Sequence, residues 1–277
     1  MALTVNTNIA SLNAQRNLTS SQSSLNTSLQ RLSSGLRVNS AKDDAAGLAI
    51  AERMNAQVRG LPVGIRNASD GISLAQTAEG ALGSVTESLQ RMRELAVQSS
   101  NATNSASDRV SLQAEYAQLS AEINRVIGGT QFNGSFILAG DAGAQDFQVG
   151  PNNTANDRIS VTTTDMSGDA DIAAVTGADI STDAASAQAA IALVDTALDT
   201  INSERATLGA AQSRMETAVR SLEVTRENTA AARGRIMDAD FAAETANLTR
   251  AQILQQAGVA MLAQANTLPQ SALALLQ

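Results

Sequence analysis

Few residues in this chain could do chemistry unaided. Two acid pairs stand out, Asp43-Asp44 and Asp238 with Asp240. Paired carboxylates can divide general acid and base work when their surroundings separate their pKa values. Each pair here falls at the start of a helix-patterned segment, where a carboxylate satisfies free amides and favours the helix dipole. Capping explains them better than catalysis does. The stretch from Asp141 to Gly150 has the oxygen-rich composition of a calcium loop, but it lacks the alternating ligand spacing and the closing Glu. The chain contains no His and no Cys. That removes the usual zinc and iron ligands, thiol nucleophiles, disulfides and every His-based triad. Neither an enzyme nor a cofactor or metal is expected.

A third cluster, Gln90-Arg91-Met92-Arg93-Glu94-Leu95, mixes both charges at helical spacing and reads as a solvated or packed helix face. The remaining signals concern burial. Among 277 residues, 43% are hydrophobic but only 2% aromatic. A core of Ala, Leu, Ile and Val at short helix–helix distance fits that balance, as in bundles and coiled coils. The net charge of −8 argues against nucleic acid. Residues 1–42 hold no carboxylate, and residues 251–277 hold no charge at all, whereas 141–183 are rich in Asp. Apolar ends with helical patterning need something to pack against, and the natural candidates are each other and further copies. The start, Met1 to Asn8, lacks the basic and apolar regions of a secretory signal. No segment is apolar for long enough to span a bilayer.

The first stripe, Leu18, Gln22, Leu25, Leu29, Leu32 and Leu36, alternates by four and three, as a heptad does. Ser40 with Asp43, and later Ser105 with Asp108, are capping-box patterns. From Ala51 to Ala96 a 3-4 stripe keeps its phase across Pro62, predicting a kinked but continuous helix over 44–98. A shorter helix ends at Gly128-Gly129. Residues 131–180 read as two or three hairpins, with turns at Asn133-Gly134 and Gly150-Pro151-Asn152. Helix returns near Thr182 in heptad phase, with Arg205 and Gln212 at stripe positions that favour one register. Asp238 to Asp240 marks a joint, and Pro269 predicts a local bend in the last helix. The fold class is mainly α, a long α-helical hairpin of coiled-coil character with a small β-hairpin insert.

Several stretches closely resemble bacterial flagellin. They are Leu3 to Arg16 (LTVNTNIASLNAQR), Arg31 to Leu48 (RLSSGLRVNSAKDDAAGL), Leu89 to Val97 (LQRMRELAV), Thr130 to Gly134 (TQFNG) and Asp238 to Glu244 (DADFAAE). The resemblance covers about 1–140 and 185–277. It implies an axial helical domain from both termini, 1–43 with 240–277, and a rod-like domain over 44–239 with a β insert at 131–182. It implies export without a cleaved signal and self-assembly into an extracellular filament for swimming. Its partners would be further copies, an export chaperone and the export apparatus, and the filament cap and hook-associated proteins. The alternative within the same relatives is a hook–filament junction protein.

The resemblance also implies site residues. Leu18, Leu25, Leu29, Leu32 and Leu36 would face Leu254, Met261, Leu262 and Leu268 in the inner tube. Leu273, Leu275 and Leu276 would meet the chaperone first and form tube wall later. Gln90, Arg91, Leu95 and Glu115 would contact a neighbouring protofilament or the flagellin-sensing toll-like receptor of a host. Met92 stands where the family often has Val.

Overall fold

A computed structural model describes residues 7–274, with side chains described to residue 267. Six helices dominate: α1 (Ile9–Ser34), α2 (Ala45–Ser99), α3 (Ala106–Gly129), α4 (Ala170–Thr176), α5 (Ala184–Met237) and α6 (Phe241–Ala274). Four short strands, β1 (Gln131–Phe132), β2 (Ser135–Phe136), β3 (Ala144–Gln148) and β4 (Arg158–Thr162), lie between α3 and α4. The chain divides into two compact units, one built from the two ends (up to Ala56 and from Asn228), the other from Gln57–Glu227.

In the middle unit, α2 and α5 run antiparallel. Met215 of α5 sits at Gly71, the Gln212 amide donates to Glu79 at 2.9 Å, and Arg93 reaches Asp195 at 2.7 Å. Leu82, Leu89, Met92 and Leu95 of α2 join Tyr116 and Ile123 of α3 and Val194, Ile201 and Leu208 of α5 in one core. Each such aliphatic side chain contributes roughly 1.5–3 kcal/mol when fully buried. Helix α2 is unbroken through Pro62. The two polar stripe residues of α5 meet the same acid, since Arg205 lies 3.9 Å from Glu79 while Gln212 bonds it. A one-turn slip of α5 along α2 would separate all three.

Both hairpins in the 131–180 region form, and each is two-stranded and antiparallel. The first turns at Asn133 and Gly134, whose φ values of 50° and 85° suit the two-residue turn that strand twist favours. The second hairpin settles against α2 because Gly64 has no side chain. A Cβ there would collide with the Val149 carbonyl, and next to it the Asn67 amide donates to Gln148 O at 2.8 Å. Ile137 and Leu138, just after β2, leave the ladder and bury themselves in the core.

A short helix, α4, stands where only hairpins were expected. Asp169 caps it by accepting from the amides of Asp171 and Ile172, and Ile172 and Val175 point into the core. Side chains of α3 hold the chain that follows. The Tyr116 hydroxyl donates to Val175 O at 3.0 Å and Ser120 donates to Thr176 O at 2.7 Å. Gln113 accepts from Ile180 N at 2.9 Å.

Burial pushes the Tyr116 phenol up from 10.0 to about 12. The folded state therefore keeps its proton longer than the unfolded chain does. Its contribution to stability is complete below about pH 10 and is lost as pH rises towards 12. Tyr116 is the one tyrosine in the chain. An absorbance titration should show a single phenolate transition near pH 12, moving to about 10 in urea. Separately, Gly64→Ala should lower stability by roughly 1–3 kcal/mol in thermal unfolding, because helix and strand must move apart.

Candidate assembly surface

Within the end unit, α1 and α6 pair antiparallel along one seam. The Asn8 amide donates to Ala265 O at 2.8 Å, Gln255 donates to Gln22 at 2.7 Å, and Arg31 lies 3.8 Å from Glu244. At the joint, Ala239 N donates to Gly35 O at 2.9 Å, Arg37 N donates to Met237 O at 2.6 Å, and the Arg37 guanidinium donates to Ile236 O at 2.7 Å. Gly35 ends α1 with φ 71°, a left-handed cap that leaves the space Phe241 approaches.

The seam is made of small residues on one side. Ala251, Gly258 and Ala265 recur every seven residues along α6, against Ser11, Leu18, Leu25 and Leu32 at the same spacing in α1. Ser11, Leu25, Ala251 and Ala265 are buried, and Leu32 is half-buried. Leu18 reaches Gly258, where an added Cβ would stand 3.3 Å from Leu18 Cδ1. Within one chain, then, Leu18 meets Gly258 and not a leucine. Leu254 and Met261 do not enter the seam but stand exposed beside it, Leu262 is half-buried, and Leu29 is exposed. Leu36 turns away to pack with Val38, Ala51 and Met237 at the joint. The side chains of Leu268 and Leu273, and Leu275 and Leu276 altogether, lie outside the described residues.

Much apolar surface stays uncovered. Ile9 (66% exposed), Leu12 (51%), Ile253 (60%) and Met261 (64%) are among the largest exposed hydrophobics in the chain. Sequence reading missed Ile9, Leu12 and Ile253, which fall off the heptad stripe it followed. In between, four of the α1 hydroxyls bond back to their own helix. Thr19, Ser21, Ser24 and Thr27 donate to the carbonyls of Gln15, Asn17, Ser20 and Ser23 at 2.9–3.1 Å.

Three of the four paired acids cap turns or helix starts. Asp43 accepts from the amides of Asn39 and Ser40 and from the Ser40 hydroxyl, while its own amide donates to Ser40 O, so only the carboxylate half of the expected box forms, in the turn ahead of α2; Asp44 accepts from Gly47 N at 2.8 Å. Hydrogen bonds from Ser40 hold the Asp43 carboxyl below its ordinary 3.8. Asp240 accepts from Ala242 N and Ala243 N at the start of α6. No group of carboxylates among the described residues could hold a metal ion. None of the described helices is long and apolar enough to cross a membrane.

On α2, Arg91 joins Glu94 and Glu115, each at 2.8 Å, and all three are exposed, as is Gln90. Hydrogen bonds to Glu94 and Glu115 raise the Arg91 pKa further. Leu95 does not share this face. It is 0% exposed and belongs to the α2–α3–α5 core, since it follows Met92 by three and Arg91 by four on a helix whose apolar stripe is wide.

Helices that pair along a seam of small residues and leave large apolar ones bare define a self-assembling structural subunit. Residues 5–142 match the bacterial flagellin N-terminal helical region, and residues 191–276 match the bacterial flagellin C-terminal helical region. The chain is 46% identical to a flagellin of Halalkalibacterium halodurans over 99% of both chains, and 45% identical to a flagellin of Xenorhabdus nematophila over the whole of both. A solved Vibrio parahaemolyticus protein described as flagellar hook-associated shares the fold (TM-score 0.60, 14% identity, 71% of this chain and all of that one). That likeness is one of fold alone. The chain belongs to the bacterial flagellin family, whose members are the structural subunits of the extracellular flagellar filament.

Truncation separates surface from core on α2. Leu95→Ala should destabilise by roughly 2–5 kcal/mol through the cavity it leaves. Arg91→Ala should barely move the melting temperature, because exposed ion pairs contribute little. Parallel thermal unfolding of the two variants checks both expectations.

Proposed function

We propose that this chain polymerises into the flagellar filament through α1 and α6, and that it carries no catalytic chemistry. The observation behind this reading is the bare apolar surface on those two helices, with Ile9, Leu12, Leu29, Ile253, Leu254, Val259 and Met261 all exposed. A single helix pair cannot cover such a surface, and further copies can. The charge-free stretch from Ala251 onward supports it, because burying an unpaired charge would be expensive. Leu18, Leu25 and Leu32 would hold the pair together within one chain, and Leu29, Leu254 and Met261 would meet neighbours.

Export without a cleaved signal, through the flagellar apparatus, fits the same reading. Leu273, Leu275 and Leu276 would be held by an export chaperone until assembly, and Leu268 would join the tube wall. The growing end would meet the filament cap, and the base the hook-associated proteins. Gln90, Arg91 and Glu115 would form a contact to a neighbouring protofilament, or to the flagellin-sensing toll-like receptor of a host. Leu95 would support that face from beneath it.

The test is polymerisation of the purified chain, seeded with sheared filament and viewed by negative-stain electron microscopy. It is run beside a variant lacking residues 1–36 and 251–277. Long filaments from the intact chain alone are expected. Small closed rings or monomers from the seeded intact chain would point instead to a hook–filament junction protein.

A further inference from the structure

Beside the α1–α6 seam runs a groove of about 630 Å³. Ala10, Ala14, Ala257 and Gly258 give it a floor of small residues, and Leu254 and Met261 form one wall. No charged residue lines it. On the same helix, Ile9 and Leu12 project with Arg16 and Thr19 from a different face and line no part of the groove. At about 100° per residue, Ile9 stands roughly 170° and Leu12 roughly 110° around α1 from the seam residues Ser11 and Leu18.

We infer that Ile9 and Leu12 of one copy dock into the groove floored by Ala14, Ala257 and Gly258 of the next. This rests on the filament reading and gives it a specific contact. The occupant is a second copy because one helix pair carries both halves of the contact and can satisfy neither within itself. A contact between different patches repeats from copy to copy without closing on a two-fold axis, as a growing polymer requires. Charge agrees with this pairing. Arg16 would arrive at the rim with Ile9 and Leu12, where Asn13, Asn17 and Gln264 offer amide oxygens and no cation opposes it. The small floor has a further use: large side chains there would fill the groove from within.

The chain has no cysteine, so introduced thiols report on this contact alone. Leu12→Cys and Ala257→Cys subunits are each doped into an excess of the natural chain, separately and together, and the filaments are oxidised. A disulfide-linked dimer is expected from the mixture only. Filaments that incorporate both variants and yield no dimer would overturn the groove contact while leaving the filament reading intact. Failure of the unsubstituted chain to polymerise would overturn the filament reading instead.

A second variant, Ala257→Leu, fills the groove at an exposed helical position and should leave far-ultraviolet circular dichroism unchanged. Its critical concentration for polymerisation should rise about tenfold or more. Val224→Ala, exposed on α5, serves as the comparison and should leave it unchanged. An Ala257→Leu chain that polymerises like the natural one would also overturn the contact.

Discussion

A helix packed against one partner can bury only one stripe of its surface, and the rest of this structure follows from that limit. Helix α6 is apolar nearly all round beyond Arg250, yet within the chain it meets α1 along one stripe that includes Ala251, Gly258 and Ala265. A soluble two-helix end would have polar residues on the remaining faces. This end has Ile253, Leu254, Val259 and Met261. The middle unit is built differently. There α2, α3, α5 and the insert surround a common core, and its largest side chains are wholly buried.

The small residues of the seam and the bare large ones are two sides of one arrangement. Ala and Gly at the contact let α6 lie close to Leu18, which holds the pair with little area per residue. Large side chains are then left for surfaces that another molecule can reach. Hydrogen bonds supply what the thin seam lacks. Asn8 ties one end of the pair to Ala265, and the backbone bonds of Gly35 and Arg37 pin the other to the α5–α6 joint. The middle unit uses polar groups for register instead, with Glu79 meeting both Arg205 and Gln212.

Much of this was legible in the sequence. Long helices have many turns over which a pattern repeats, so α1, α2, α3, α5 and α6 could be read from their stripes and caps, down to the Ser105–Asp108 box. Helix α4 could not, since two turns carry too few repeats; its signal was Asp169 ahead of Ile172 and Val175. The intrachain seam was not legible for a related reason. Large aliphatic residues such as Leu254 and Met261 stand out in the sequence, whereas the stripe that packs within the chain includes the small residues Ala251, Gly258 and Ala265 beside them. Leu95 was grouped with Arg91 by motif resemblance; the two are helical neighbours, but the apolar stripe of α2 is wide enough to take Leu95 into the core.

The hydroxyls of α1 carry one more consequence. Thr19, Ser21, Ser24 and Thr27 have already given their protons to carbonyls one turn back. Each of the four can still accept a hydrogen bond but has no proton left to donate. A body lying against them therefore meets only acceptors at these positions. Whatever grips the helix there must bring its own donors.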